Sequence, residues 1–147
     1  MASIISSDVK IKVSSTLNKD SKSFGKQYLT DGDLETCWNS DQGTSQWIIA
    51  EFPRSVSPSQ VVLMFQGGFT SSQVLVFSAP SPLASSSPDW TQLTQLYPED
   101  SNKLQTFDVA SSAASAVRSL KFVFTECSDT YGRIVVYKLD VLGAAVE

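Results

Sequence analysis

The residues best suited to chemistry lie within positions 29–47, where a short acidic turn precedes a strand-like segment. Asp31, Gly32 and Asp33 favour a tight turn, because aspartate accepts backbone hydrogen bonds and glycine tolerates a positive φ angle. The hydroxyl group of Thr36 follows shortly after this turn. Carboxylate, hydroxyl and carbonyl oxygens are the ligands that a hard cation such as calcium prefers. The segment therefore predicts either a hydrogen-bonded turn or a cation site, and it does not indicate an enzyme.

Histidine is absent from all 147 residues of the sequence. Histidine is the commonest general base, the central member of Ser-His-Asp triads and a frequent zinc ligand. No pair of carboxylates stands out in an apolar setting, and no nucleophile lies at a meaningful spacing from a base. We therefore expect the protein not to be an enzyme and to need no cofactor.

Composition narrows the classes of partner. The net charge is −4 and no basic run occurs, which argues against a surface that tracks nucleic acid and against a polybasic membrane anchor. No apolar segment is long enough to span a bilayer, and the first residues lack the features of a secretory signal. Cys37 and Cys127 are then expected as free thiols in a reducing compartment. The expected location is the nucleus and cytoplasm.

The hydrophobic pattern is that of an all-β protein. Short runs rich in Val, Ile, Phe and Thr are separated by Gly, Pro, Ser and Asp, which predicts about eight antiparallel strands. The expected strands are residues 10–15, 46–52, 60–66, 72–79, 91–97, 104–109, 120–125 and 134–142. Residues 110–118 alone have a helical composition, and residues 80–88 read as a surface loop. Residues 1–147 are expected to form one domain whose ends can fray.

Three separated motifs give the chain a family resemblance. They are LTDGDLETCW at residues 29–38, QWI at 46–48 and YGRIVVYKLDVLG at 131–143. In this order they resemble the discoidin, or coagulation-factor type C, domain. That resemblance implies a galactose-binding-like jelly-roll β-sandwich.

Shorter stretches resemble one intracellular family more closely. They are SSTLN at residues 14–18, FGKQYL at 24–29, ETCWNSDQG at 35–43, FQGGF at 65–69, YPED at 97–100 and LQTF at 104–107. They resemble the nuclear receptor 2C2-associated protein family, which implies a small protein that binds and represses an orphan nuclear receptor. A more distant resemblance is to the discoidin-like subunit of the anaphase-promoting complex, which implies docking of short degron peptides.

The resemblance also bears on the cation site. Sugar-binding members of this superfold combine an Asp of the turn, a Thr at the position of Thr36 and a Glu in the last strand. The matching last-strand position here is Lys138, whose ammonium cannot ligate a cation and can instead donate to the same oxygens. We therefore expect no tight metal site, and Asp31, Asp33 and Thr36 remain weak candidate ligands.

Loops at one end of the sandwich are the expected binding residues, because strands carry the framework of such folds and loops carry function. In the resembling family this end is built from the loops matching residues 19–28, 66–71 and 127–133. The candidate partner-binding residues are Asn39, Asp41, Gln66, Gly67, Gly68, Phe69, Asp129, Tyr131 and Arg133.

Two candidates and the tryptophans have more than one interpretation. Phe69 is either an exposed anchor at the tip of a Gly-Gly turn or a side chain folded back over the core. Arg133 either clamps a carboxylate of a partner or pairs with Asp129 or Asp41 and braces the loops. Trp38 and Trp47 are expected in the core rather than stacked on a sugar ring.

The function that we expect is an intracellular protein-interaction module that acts as a nuclear-receptor-associated transcriptional repressor. Its partner would be a protein or peptide, with no direct contact to nucleic acid or membrane. The alternatives are a carbohydrate-binding module and a peptide-docking adaptor of a ubiquitin-ligase assembly.

Overall fold

The computed structural model describes residues 2–43, 45–80, 90–109 and 117–146. Within these ranges, short β-rich runs form nine strands: β1 (Ala2–Ser3), β2 (Lys10–Val13), β3 (Trp38–Asn39), β4 (Gln46–Phe65), β5 (Val74–Ala79), β6 (Thr91–Leu96), β7 (Leu104–Asp108), β8 (Val117–Phe124) and β9 (Val135–Ala145). Between β2 and β3 lie one α-helical turn, α1 (Ser21–Phe24), and two 3₁₀ turns, Leu17–Lys19 and Lys26–Leu29. No helix in these described ranges is long and apolar enough to cross a membrane.

The long strand β4 belongs to both layers of an antiparallel sandwich. Its first part, through Glu51, pairs with β2 and β8, and β8 continues to β5 and β6. Its second part, from Val56, pairs with β7 on one edge and β9 on the other, while β1 and β3 pair with the far edge of β9. The register shifts between Glu51 and Val56, where the strand passes from one layer to the other. The predicted antiparallel β-sandwich is confirmed.

The core fills the space between these layers. Ile48 from the first part of β4 and Leu63 from the second are both fully buried in the same hydrophobic cluster. Trp38 and Phe65 pack against Phe124, with ring centroids 6.2 and 6.0 Å away. Large aromatic side chains dominate the energetics of such cores because each buries much apolar area. This packing fixes the strand ends from which the functional loops project.

Several strand boundaries differ from the prediction. The two strands expected at 46–52 and 60–66 form the single strand β4, although it contains Pro53 and Pro58. Proline is tolerated at edges and irregularities of a sheet, and here Pro53 is exposed while the register shifts next to Pro58. The short strands β1 and β3 and the helical turns were not predicted.

Two predicted segments fall largely on parts of the chain outside the described residues. They are residues 81–88 of the expected surface loop and residues 110–116 of the expected helix. The last two residues of that helix prediction, Val117 and Arg118, begin strand β8 instead.

Of the two tryptophans expected in the core, Trp38 is there and Trp47 is not. Trp38 is fully buried, whereas Trp47 alternates with buried Ile48 and lies half-buried on the outer face of its sheet. The Nζ atom of Lys121 lies 5.7 Å from the centroid of the Trp47 ring. The prediction for Trp47 was wrong because side chains of a strand alternate between the two faces of a sheet.

Candidate functional site

Two of the three predicted loops, residues 66–71 and 127–133, meet at one end of the sandwich. Residues 39–43, which contain the candidates Asn39 and Asp41, join them there as the first of three loops, and the three together are called here the loop end. Thr70 and Ser128 join the second and third loops, since the backbone N–H of Ser128 donates to the carbonyl of Thr70 at 2.9 Å. The backbone N–H of Gly43 donates to the carbonyl of Tyr131 at 3.0 Å and joins the first loop to the third. The strand ends determine where these loops begin, and the hydrogen bonds between the loops determine how the loops lie relative to one another.

The remaining predicted loop, residues 19–28, is not part of this network. In the described chain its hydrogen bonds stay within residues 16–28. The 3₁₀ turn Lys26–Leu29 packs against β2, β3 and β9. Leu29 is the buried residue of that turn and belongs to the core. This segment therefore lies against the strands and not in the loop end.

The Gly67-Gly68 turn is held by a loop that the sequence did not point to. The backbone N–H of Gly67 donates to Asn102 Oδ1 at 2.5 Å, and that of Gly68 donates to Asp100 Oδ1 at 2.8 Å. Gly68 adopts φ +90°, which explains why glycine stands there. Gln66 accepts a hydrogen bond from the hydroxyl of Tyr137 at 3.2 Å. The turn is thus pinned, and the N–H groups of its two glycines are already engaged within the protein.

Phe69 is neither a fully exposed tip nor a member of the core cluster. Its side chain is half-buried, and its carbonyl accepts a hydrogen bond from the N–H of Val135 at 3.1 Å. The guanidinium carbon of Arg133 lies 5.3 Å from the centroid of its ring, which is a cation–π distance. One face of this aromatic ring is therefore occupied by the protein's own arginine.

Arg133 is engaged with Asp129, which is the bracing role of the two that we considered. Its Nε and Nη2 atoms donate to the carboxylate at 3.0 and 3.3 Å, and its backbone N–H donates at 3.1 Å. The same guanidinium lies 5.8 Å from the centroid of the Tyr131 ring. Hydrogen bonding to Arg133 lowers the pKa of the Asp129 carboxyl, and the pKa of Arg133 is raised in turn. Asp41, the other partner considered, does not pair with Arg133.

The ion pair predicts a pH dependence of stability. A carboxyl whose pKa is lower in the folded than in the unfolded state stabilises the fold above the unfolded value, about 3.9, and this stabilisation is lost as the pH falls through the folded pKa. We expect Asp129→Asn to lower the melting temperature at neutral pH, and the difference from the unmodified protein to shrink in acid.

Melting curves between neutral and acid pH measure this difference. In an Arg133→Gln background, Asp129→Asn should change the melting temperature far less, because the partner that lowers the pKa is gone. A difference that stayed constant across the titration would contradict the pairing.

Tyr131 is the most accessible aromatic residue of the loop end, with 61% of its surface exposed. It stands beside a cleft of about 530 Å³ between the first and third loops. The lining is polar and apolar in about equal parts and is made by Gln42, Gly43, Thr125, Glu126, Cys127, Asp129, Thr130, Tyr131 and Gly132. An exposed aromatic ring beside polar groups is the usual composition of an interface anchor.

The cysteine of this cleft is not an activated nucleophile. Burial raises the pKa of the Cys127 thiol, and the carboxylates of Asp129 and Glu126 raise it further. Burial also raises the pKa of Cys37, and both cysteines are free. Because the thiolate is the reactive form, these environments favour inert thiols.

Asp41 supports the first loop, and neither Asn39 nor Asp41 lines the cleft. The backbone N–H of Asp41 donates to Ser15 Oγ at 3.0 Å, and its carbonyl accepts from Gln46 Nε2 at 2.8 Å. Gln46 is 2% exposed and also accepts from the hydroxyl of Ser14. Asn39 Oδ1 is buried and has no hydrogen-bond partner among the described groups.

The first and third loops approach each other at two glycines. Gly132 has φ +78°, and a Cβ atom added there would lie 1.8 Å from the carbonyl oxygen of Gly43. No side chain fits into that space. The approach places Tyr131 at the mouth of the cleft.

The acidic turn is satisfied by its own hydrogen bonds. Thr36 Oγ1 donates to Asp31 Oδ2 at 2.5 Å and lies 2.9 Å from the carbonyl oxygen of Asp33, while Asp31 Oδ1 accepts from the N–H of Asp33 at 3.0 Å. Within the described ranges, no group of three or more His, Cys, Asp or Glu residues could hold a metal ion. Lys138 and Gly32 line the same cavity of about 190 Å³, so the lysine stands beside the turn.

We expect calcium not to bind this turn tightly. The ammonium of Lys138 adds positive charge beside the candidate oxygens and supplies no ligand. Titration calorimetry should show no binding at micromolar calcium, and calcium should leave the melting temperature unchanged. Lys138→Glu is the matched control, because it puts a carboxylate at that position. A melting temperature of the unmodified protein that rises with calcium would contradict this prediction.

The comparisons with known proteins agree with this architecture. The family model described as "Sad1 / UNC-like C-terminal" matches residues 9–145, a family that the sequence motifs did not suggest. The nuclear receptor 2C2-associated protein of Danio rerio is 45% identical over 141 residues, covering 96% of this chain and 95% of that protein. The protein of the same name from Homo sapiens is 42% identical over 144 residues, covering 98% of each.

Solved structures with low sequence identity share the fold. The F5/8 type C domain of a Bacteroides fragilis protein has a TM-score of 0.78 at 11% identity and covers 99% of this chain and 97% of its own. A Clostridium perfringens domain, solved in complex with GalNAc-β-1,3-galactose, has a TM-score of 0.75 at 16% identity and covers 97% and 100%. The predicted galactose-binding-like, discoidin-type fold is confirmed by these neighbours.

The level of identity to the named relatives and the length of the match both exceed what a shared fold alone produces. The chain therefore belongs to the Sad1/UNC-like C-terminal family and to the nuclear receptor 2C2-associated protein family.

Proposed function

We propose that the protein is a non-catalytic interaction module that associates with a nuclear receptor and represses its transcriptional activity. The observation that carries this proposal is the identity of 42–45% with relatives that bear the name of nuclear receptor 2C2-associated protein. The absence of histidine and the raised pKa values of both cysteines support a role without catalysis. The proposed location is the nucleus and cytoplasm.

The loop end is the surface proposed for the partner. Tyr131 offers a large exposed ring, and Arg133 and Phe69 form a stacked support behind it. Aromatic residues and arginine are enriched among residues that dominate binding energy, because rigid rings bury much area at low entropic cost. The cleft beside Tyr131 supplies polar groups for orientation. These features favour a protein or peptide ligand.

We expect Tyr131→Ala to weaken partner binding by about 1–4 kcal/mol, the range of interface hot spots. Stability should change by less than about 0.5 kcal/mol, because the ring is exposed. Tyr97→Ala is the matched control, since Tyr97 is 65% exposed and does not line the cleft. Calorimetric titration of the receptor's ligand-binding domain with each variant, combined with thermal melts, measures both effects. Unchanged binding by Tyr131→Ala would remove the loop end from the proposal.

Repression is tested separately from binding. A reporter gene driven by the receptor should be repressed by the unmodified protein and by Tyr97→Ala, and less by Tyr131→Ala. Imaging of the tagged protein, with the receptor present or depleted, tests the location. Binding without any effect on the reporter would keep the association and reject the repressor role.

A carbohydrate ligand is the second candidate. Polar side chains in the cleft beside an exposed tyrosine favour it, as does the structural neighbour solved with GalNAc-β-1,3-galactose. A glycan array with the unmodified protein and Tyr131→Ala tests this candidate. A sugar that binds at micromolar affinity and depends on Tyr131 would rank it above the protein partner, and a peptide library on the same surface tests the peptide-docking adaptor.

A further inference from the structure

A second surface lies along strand β2, where lysines surround an apolar floor. The groove has a volume of about 390 Å³ and is lined by Val9, Lys10, Ile11, Lys12, Lys26, Gln27 and Thr30. We call it the basic groove. Val9 and Ile11 are half-buried and pack against the core cluster, so the floor is firmly held. Lys10, Lys12 and Lys26 are all exposed.

The charge of the basic groove is opposite to that of the whole chain. The protein carries a net charge of −4, yet no Asp or Glu lines this groove. The ion pairs found in the described part of the chain involve Arg54 and Arg133 and none of these lysines. Lys10 faces Glu51 in the strand register, so its charge is partly balanced. Lys12 and Lys26 therefore provide most of the attraction for an anionic ligand.

Strand β2 has a free edge that faces this groove. Among the described strands it pairs with β4 alone. The N–H of Ser14 donates to the carbonyl of Trp47 in β4. The backbone groups of Lys12 and Lys10, two and four residues earlier, therefore also point towards β4. Backbone groups of antiparallel strands alternate in direction, so those of Ile11 and Val13 point away from β4, and Ile11 also lines the groove.

We propose that the basic groove binds an extended acidic segment of a partner protein by strand addition. The segment pairs its backbone with Ile11 and Val13, which is a common mode of peptide recognition at sheet edges. Its carboxylates approach Lys12 and Lys26, and its alternate apolar side chains rest on the floor. The charge complementarity selects an acidic segment over a neutral or basic one.

Protection of the edge is the simpler explanation for lysines on β2, since edge strands often carry lysine to prevent unwanted pairing. Two features go beyond that role. Lys26 belongs to a different element, the 3₁₀ turn Lys26–Leu29, and converges on the same groove. An accessible apolar floor lies beneath the charges, although edge protection does not require one. Nucleic acid would make no use of the free backbone edge.

The test uses a fluorescent peptide of alternating glutamate and valine, followed by fluorescence anisotropy against the full chain. We expect saturable binding that weakens with salt, and no binding of the matching lysine–valine peptide. Two N-methylated forms of the glutamate–valine peptide separate strand addition from simple charge attraction. In one phase the N-methyl groups are on the glutamate amides, and in the other they are on the valine amides. One of the two phases should lose binding, because its blocked amides face β2.

Variants locate the site. Lys12→Glu combined with Lys26→Glu should weaken binding of the glutamate–valine peptide about tenfold or more, because two attractive charges become repulsive. Lys22→Glu combined with Lys103→Glu is the matched control, because both lysines are exposed and lie outside the groove. Lys12→Gln with Lys26→Gln gives a milder change should the reversal impair folding, and melting curves verify each variant.

Tyr131→Ala should leave this binding unchanged, so failure here and failure of the loop-end proposal are distinguishable. Equal binding by both N-methyl phases, equal binding by the double reversal, or preferential binding of a single-stranded oligonucleotide would each overturn the proposal.

Discussion

Replacing Gly132 with alanine is expected to lower the free energy of unfolding by roughly 2–4 kcal/mol and to disrupt the loop end. The residue has φ +78°, which alone costs about 1–3 kcal/mol for a residue with a side chain. The added Cβ would also lie 1.8 Å from the carbonyl oxygen of Gly43, so the two loops must separate. That separation breaks the hydrogen bond from Gly43 to Tyr131 and moves the exposed ring.

Gly32→Ala separates the two causes. Gly32 has φ +75°, almost the same angle, but a Cβ there meets no atom within 4 Å. Chemical denaturation of both variants should therefore show the larger loss for Gly132→Ala, and only this variant should lose partner binding. Equal losses would mean that the backbone angle accounts for the effect and that the close approach of the loops contributes nothing.

Trp38→Ala should destabilise the protein by about 3–5 kcal/mol, the range for removing a large aromatic side chain from a core. Trp38 is fully buried, packs against Phe124, and donates its indole N–H to the carbonyl of Ser15 at 3.0 Å. Its loss leaves a cavity between the layers and an unpaired carbonyl near the first loop. Denaturant unfolding followed by far-UV circular dichroism measures the change.

Trp47→Ala is the matched control for this prediction. Trp47 lies half-buried on the outer face under Lys121, so its truncation should cost clearly less than that of Trp38. Trp38→Phe should fall between them, because it keeps much of the volume and loses the hydrogen bond, worth about 1 kcal/mol. A larger loss for Trp47→Ala would contradict the placement of the two rings.

The strands were predictable wherever one face is buried and the other solvated. In β8 and β9 buried and half-exposed residues alternate, as around Phe122 and Phe124, and the sequence shows this directly. The continuity of β4 was not predictable, because a proline near a bend normally ends a strand. The pairing of β1 and β3 with β9 depends on contacts between residues far apart in the chain, which no local pattern encodes.

The candidate site was predictable as a set of loops but not as a geometry. Tyr131, Arg133 and Phe69 were identified from their residue types, and the structure brings them into one stack. Nothing in the sequence pairs Asp100 and Asn102 with the glycine turn. Aspartate and asparagine are common in ordinary surface turns, so their presence does not indicate this partner. Only the folded backbone reveals such partners.

Because β4 belongs to both layers of the sandwich, its pairing also determines when the chain can fold during synthesis. Among the described ladders, only β2–β4 and β5–β6 join strands that both precede residue 97. The second part of β4 must wait for β7 and β9, so Val61, Leu63 and Phe65 emerge from the ribosome without partners. Such late, long-range pairing slows folding and exposes apolar strands to aggregation. The nascent chain therefore exposes these apolar residues until β9 is released.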